Sequence, residues 1–168
     1  MDKVELLNKR IAELEASEKE LFHRVTELSD FIENATIPLH WVNGSGIIIW
    51  VNKAELDMLG YPMEEVLNQH ISKFHADKDV IEDILTRLIH KETLINYPAE
   101  LLCKNGTIKP VLINSNVYWK DGEFVHTRCF TRDVSELKAK DLSQKKLIES
   151  LQNRIRELEH QIKQVASN

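Results

Sequence analysis

The first stretch of the chain carries apolar residues at alternating intervals of three and four. With Val4 at position a of a heptad, the a series reads Val4, Ile11, Glu18, Val25 and Ile32, and the d series reads Leu7, Leu14, Leu21, Leu28 and Ala35. Nine of these ten positions are apolar. So strict a seam predicts a left-handed coiled coil, and β-branched residues at a with Leu at d favour two parallel strands. Arg10 at g would face Glu15 at e of a second copy. A helix of about 34 residues is roughly 50 Å long, longer than one packed only on its own domain needs. Glu18 is the one break, a local weak spot beside Lys19.

The other end repeats the pattern. Ile148, Leu151, Ile155, Leu158, Ile162 and Val165 alternate between a and d, with Arg154 at g and Glu159 at e. Upstream the same phase puts Leu137 at d, Asp141 at a and Gln144 at d, so the seam is poor from about 138 to 147. Asp133-Val134-Ser135-Glu136 reads as a capping box, with Asp133 as N-cap and Glu136 reaching back. No glycine precedes Gly44 or follows Gly122, and no proline precedes Pro38 or follows Pro110. Helix breakers are therefore confined to the middle.

That middle changes period. Leu39 to Val42 and Ile47 to Val51 read as strands joined by a turn at Asn43-Gly44-Ser45-Gly46. Helical segments follow at Lys53 to Leu59, Met63 to Leu67 and Asp79 to Lys91. Three strands close the region: Tyr97 to Cys103, Ile108 to Trp119 and Phe124 to Val134, with turns at Lys104-Asn105-Gly106 and Lys120-Asp121-Gly122. Strands at both ends with helices between them predict an α+β domain, one antiparallel sheet with helices on one face. The expected division is an N-terminal coiled-coil helix over 1–35, a domain over 36–135 and a C-terminal coiled-coil helix over 136–168.

Composition narrows the classes. Hydrophobic residues make up 42% and charged residues 29%, an ordinary folded balance. A net charge of -5 gives no basic face for nucleic acid. No apolar run approaches the length of a membrane span, and the first residues hold no apolar signal segment. The two cysteines, Cys103 and Cys129, both fall in strands, which favours a reducing compartment over a disulfide framework. The expectation is a cytoplasmic protein with no nucleic-acid or membrane partner.

The middle region resembles the PAS domain family. Val51-Asn52-Lys53-Ala54 followed by Leu59-Gly60-Tyr61 is similar to its strand-to-helix segment. His75-Ala76-Asp77 is similar to its His-Pro-Asp junction, with Ala in place of Pro. Lys104-Asn105-Gly106 and Lys120-Asp121-Gly122 resemble its two glycine hairpins, and Arg132-Asp133-Val134-Ser135 resembles its closing Asp-Ile-Thr signature. The resemblance covers roughly residues 30 to 137. It implies a five-stranded antiparallel sheet, commonly dimeric, that senses a ligand, cofactor or partner and passes the signal to an effector. It also implies an inward-facing pocket wall of Val111, Ile113, Ser115 and Val117, and of Val125, Thr127, Cys129 and Thr131, where the small residues would leave room for a ligand. A filled core is the competing expectation. Leu112, Tyr118, Phe124 and Phe130 would share the outer face with Asn114, Asn116, His126 and Arg128, covered by the N-terminal helix around Phe31 and Ile32.

The chemistry is sparse. Flavin-binding relatives carry a reactive cysteine in the helical segment, whereas Leu67-Asn68-Gln69-His70-Ile71-Ser72 has none. A flavin adduct is therefore not expected. Heme binding in the family uses a helical-segment histidine, which makes His75 the candidate ligand. His40, His126 and His160 are scattered without metal-ligand spacing. His160 lacks the acid and downstream proline of a phospho-acceptor helix, and no glycine-rich nucleotide loop occurs. No catalytic set is expected. Two readings remain. One is a homodimeric sensor of the two-component type, standing alone or as a fragment of a larger histidine kinase or regulator. In it the dimer seam is Leu7, Ile11, Leu14, Leu21, Val25, Leu28, Ile148, Leu151, Ile155, Leu158 and Ile162, and Asp133, Ser135 and Glu136 form the output junction. The other is a constitutive dimerisation scaffold with an inert core.

Overall fold

The computed structural model describes residues 2–166, and of 164–166 the backbone alone. Helix α1 (Lys3–Glu33) leads into strands β1 (Leu39–Val42) and β2 (Ile48–Val51). Helices α2 (Lys53–Leu59) and α3 (Met63–Val66), a single 3-10 turn (Ile71–Phe74) and helix α4 (Lys78–Ile89) follow. Strands β3 (Leu94–Leu102), β4 (Ile108–Lys120) and β5 (Glu123–Asp133) complete the sheet, and helix α5 (Ser135–Ala166) ends the chain. The strand order is β2-β1-β5-β4-β3, with every pair antiparallel. Because β1 lies beside β5, the end of α1 and the start of α5 adjoin the same end of the sheet.

Local chemistry accounts for the segment limits. Asn52 caps α2, its side-chain oxygen accepting the N–H of Glu55, and Gly60 ends that helix in the left-handed region at φ 75°. Asp77 caps α4 by accepting the N–H groups of Asp79 and Val80. Along α4, Ile81, Ile84 and Leu88 recur at helical spacing and are the buried face. Gly46 sits at φ +77°, and a Cβ there would lie 2.3 Å from Nε2 of His70. The β1–β2 turn can approach the 3-10 segment only because that position has no side chain.

The helices cover one face of the sheet, and Ile48, Val51, Leu59, Val66, Phe74, Ile81, Leu88, Val111 and Ile113 fill the space between. Alternation on β4 runs as expected, with Val111, Ile113, Ser115 and Val117 buried. On β5 it fails near the hairpin. Trp119 pairs with Phe124 while Tyr118 pairs with His126, so Val125 is an extra residue in a bulge. The bulge reverses the two side chains. Val125 is exposed and is not part of the pocket wall, whereas Phe124 packs on the core and meets Trp119 edge to face at 5.4 Å.

On the outer face Trp41 lies against Trp50 at 4.7 Å and stacks on His126 at 4.3 Å, with Tyr118 next in line. The end of α1 runs alongside, where Val25, Thr26, Ser29 and Ile32 face Trp41 and Trp50 across a groove. Phe31 does not cover this face: it is 73% exposed. Ala35 lies past the end of α1, so it is not a d position of the seam. Val165, the last seam position, falls outside the residues whose side chains are described.

Candidate functional site

One row of paired residues crosses the whole sheet on its covered face: Val51, His40, Cys129, Ser115 and Leu94, from β2 to β3. The middle three are polar and buried. Glu55, one turn into α2, comes down on them. Its Oε1 lies 3.2 Å from Nδ1 of His40, an ion-pairing distance, although the ring nitrogen is not aligned for a hydrogen bond. Ser115 Oγ is 2.9 Å from Sγ of Cys129. Thr127 Oγ1 accepts the Val42 N–H at 3.0 Å and lies 3.9 Å from the same sulfur. His75, held at β3 by a bridge to Leu101, completes the set.

Burial alone would strip the proton from His40, but Cys129 and Glu55 beside it hold its pKa well above the ordinary value. His75 has no such partner. Burial, aided by the charge on His40, pushes it down to about 4, so it is neutral at pH 7. Burial would raise the Cys129 thiol. The charge of His40 beside it and the hydroxyls of Ser115 and Thr127 instead bring it below its usual value.

Of the expected pocket residues, Val111, Ile113, Ser115, Val117, Thr127, Cys129 and Thr131 are buried on the covered face, and only Val125 is turned away. The room left by the small residues is taken up by the two histidines and Glu55. Two cavities of about 10 Å³ each remain, lined in common by His40, Ile71, His75 and Ile113. Each has the size of a single water. His75 lies in the helical segment, and the two cavities that it lines are each far smaller than a heme or a flavin. Among the described residues no group of His, Cys, Asp and Glu has the arrangement of a metal site.

A second set of contacts ties this core to both long helices. Asn52 is fully buried. Its amide nitrogen donates toward the carbonyls of Ile37 (2.9 Å), Ile32 (3.3 Å) and Ala35 (3.4 Å). Its oxygen accepts the N–H groups of Leu39 (2.9 Å) and Glu55 (3.1 Å). One side chain thus joins the last turn of α1, the start of β1 and the first turn of α2. On the output side, Asp133 Oδ1 accepts both the N–H (2.8 Å) and the hydroxyl (2.6 Å) of Ser135, while Oδ2 pairs with Lys109 at 3.0 Å. These bonds hold the Asp133 carboxyl below the usual carboxylate range, against the upward effect of burial. Asp133 is not the N-cap itself. The first helical bond runs from the Lys138 N–H to the Val134 carbonyl, so Val134 is the cap and Asp133 precedes it in a side-chain turn. Among the described residues no hydrogen bond returns from Glu136 to Asp133.

Several solved structures share the architecture. A PAS domain of an HTR-like protein from Haloarcula marismortui aligns with a TM-score of 0.62 at 22% identity, covering 71% of this chain and 98% of that one. A domain of a sensory box sensor histidine kinase/response regulator from Geobacter sulfurreducens gives 0.57 at 20% identity, over 67% of this chain and 96% of that one. A PAS domain from Desulfitobacterium hafniense gives 0.53 at 26% identity, over 62% and 98%. No curated protein matches the chain. The sequence profile of the PAS domain matches residues 33–136, and with that span and this sheet the chain belongs to the PAS domain family.

Proposed function

We propose that the chain is a parallel homodimer that senses a change in its PAS core and passes it through α5 to a downstream kinase or regulator in the cytoplasm. The observation that carries this reading is the unpartnered seam. In the single chain Leu7, Ile11, Leu14, Leu21, Val25 and Leu28 of α1 are between 51% and 61% exposed, and Ile148, Leu151, Ile155, Leu158 and Ile162 of α5 are exposed as well. Stripes of this length and regularity are made to be covered, and the heptad phase calls for an identical helix. The Asn52 and Asp133 contacts support the relay, since each joins the domain to one of the two helices. The test has two arms. Light scattering at tens of micromolar is expected to give twice the 19.5 kDa chain mass; the chain mass itself would overturn the dimer. Spin labels at position 153 of both chains are expected to show a broad distance distribution that narrows on Asp141→Leu with Gln144→Leu, because those two residues soften the seam. One narrow distance, unmoved by the double change, would leave a rigid scaffold in place of a transmitter.

A further inference from the structure

We propose that Cys129 is a peroxide-reactive thiol, set against His40 and Glu55 and bordering a water-sized cavity in the core. The inference rests on the sensor reading only for what the oxidised core then does to the helices.

The geometry assembles what thiol oxidation needs. Cys129 and His40 are cross-strand partners on β5 and β1, and Glu55 Oε1 lies 3.2 Å from Nδ1 of the imidazole. The carboxylate favours the protonated ring, and the protonated ring favours a thiolate. Ser115 Oγ lies 2.9 Å from the sulfur and can donate its hydroxyl proton to a thiolate there. Thr127 Oγ1 accepts the Val42 N–H and lies 3.9 Å from the sulfur; it accepts from the thiol, and its hydroxyl proton can turn to a thiolate.

The orphaned atoms point independently to a ligand. Nδ1 of His75, Oε2 of Glu55 and Oγ1 of Thr131 are buried, and none has a hydrogen-bond partner. All three residues line one cavity, and His75 also lines the second, which Cys129 borders. Buried polar atoms without partners call for a polar occupant. The two spaces share four lining residues and measure about 10 Å³ each, so hydrogen peroxide, the smallest peroxide, is the reactive guest that asks least displacement of the side chains around them. Organic hydroperoxides and common alkylating reagents are too large.

The step balances without another co-reactant. The Cys129 thiolate attacks one oxygen of hydrogen peroxide, the S–O bond forms and the O–O bond breaks. The departing hydroxide takes the His40 imidazolium proton and leaves as water. The sulfur ends as a sulfenic acid, oxidised by two electrons as the peroxide is reduced. His40 is left neutral, so Glu55 loses its cation. Glu55 donates its backbone N–H to Asn52, and the disturbance therefore reaches the carbonyls at the end of α1.

The experiment is peroxide treatment of the folded full chain, trapping with dimedone and peptide mass mapping. Cys103, whose thiol donates to the Met58 carbonyl, is the internal comparison. The dimedone mass is expected on Cys129 before Cys103, with iodoacetamide leaving Cys129 unmodified in the folded protein. Glu55→Gln and, if that variant does not fold, Ser115→Ala are each expected to slow sulfenic acid formation about tenfold, the rate equivalent of one charge-assisted hydrogen bond. Oxidation of Cys103 with Cys129 untouched, or an unchanged rate in the variant that folds, would overturn the proposal. Oxidised Cys129 with unaltered helix-label distances would uphold the thiol chemistry and remove the relay to the helices.

Discussion

The domain and its two long helices solve the same problem in opposite ways. Between Leu39 and Val134 a core of large apolar side chains is covered by the chain's own strands and helices: Phe74, Ile48, Ile81 and Leu88 are almost completely buried. In α1 not one residue is buried, and α5 is exposed from Glu136 to Lys163. Yet both regions are patterned with apolar residues at regular spacing. The difference is where the partner comes from. The domain's stability is a property of one chain. A long helix in water has little stability from propensity alone, so under the dimer proposed above that of α1 and α5 would come from a second molecule.

The sharpest way to break that comparison is the same truncation in both regions. Phe74→Ala removes a ring that is 1% exposed and is expected to cost about 3–5 kcal/mol of domain stability at any protein concentration. Leu14→Ala is expected to leave the domain melt untouched in dilute solution and to weaken the dimer at higher concentration. Thermal melts at two concentrations separate these. A Leu14→Ala shift of the domain transition in the dilute sample would mean that α1 belongs to the domain after all.

The next largest effect is confined to the domain and is driven by pH. His75 has a folded pKa of about 4, below its ordinary 6.5. Above pH 6.5 it is neutral in both states and costs nothing. As pH falls from 6.5 to 4 the unfolded chain takes up a proton that the fold refuses, so stability drops, by about 3 kcal/mol in all. His40 has the opposite sign. Its raised pKa contributes stability that is whole below 6.5 and is lost as pH rises through the folded value. Stability should therefore fall away on both sides of neutrality. His75→Leu is expected to flatten the acid limb and leave the alkaline limb alone. A variant that keeps the full acid slope would show that another group carries it.

How much of this was legible in the sequence follows from the range of the interactions involved. The helices and strands rest on local periodicity, and the expected limits of β1 and α2 match the observed ones. The bulge at Val125 depends on how the β4–β5 hairpin closes, so simple alternation put Val125 in and Phe124 out. The polar row was invisible for a different reason. Glu55 looks like an ordinary acid in a first helical turn, and His40 like one position of a strand. Only the β1–β5 pairing, across 89 positions for His40 and Cys129, brings them together. Asn52 stood inside a motif that could be read, but its contacts with Ile32 and Ile37 run back along the chain through a segment without periodicity. The capping residue of α5 was read one position early, since Asp at N-cap and Asp just before it share a sequence signature.

Within the helices, two changes three residues apart sharpen the comparison further. Leu21→Asp puts a pair of charges into a dry seam and is expected to weaken the dimer by about 2 kcal/mol or more. Glu18→Leu removes a pair from the same seam and is expected to strengthen it. Both residues are exposed in the single chain, so neither should move the dilute domain melt. Sedimentation equilibrium that ranks the two the other way would displace the heptad phase that starts at Val4.

The smallest effect lies where the two regions join. Asp133 gives α5 two hydrogen bonds through Ser135 and is anchored to β4 by Lys109. Asp133→Ala removes all three contacts at a partly exposed site, which should cost about 1 kcal/mol. The domain has no other need of this carboxylate, so its melting point should hardly move. The loss should fall instead on the first turns of α5, where amide exchange over residues 135–140 is expected to quicken. The wild-type bonds are to the ionised carboxyl, and its folded pKa is below 3.8. They are therefore whole above pH 3.8 and are lost as pH falls through the folded value. Wild type and variant should differ in exchange at pH 6 and converge in strong acid. If exchange over those residues is the same at pH 6, the first turn of α5 is held by Val134 and the helix alone, and Asp133 does not couple the domain to the exposed helix.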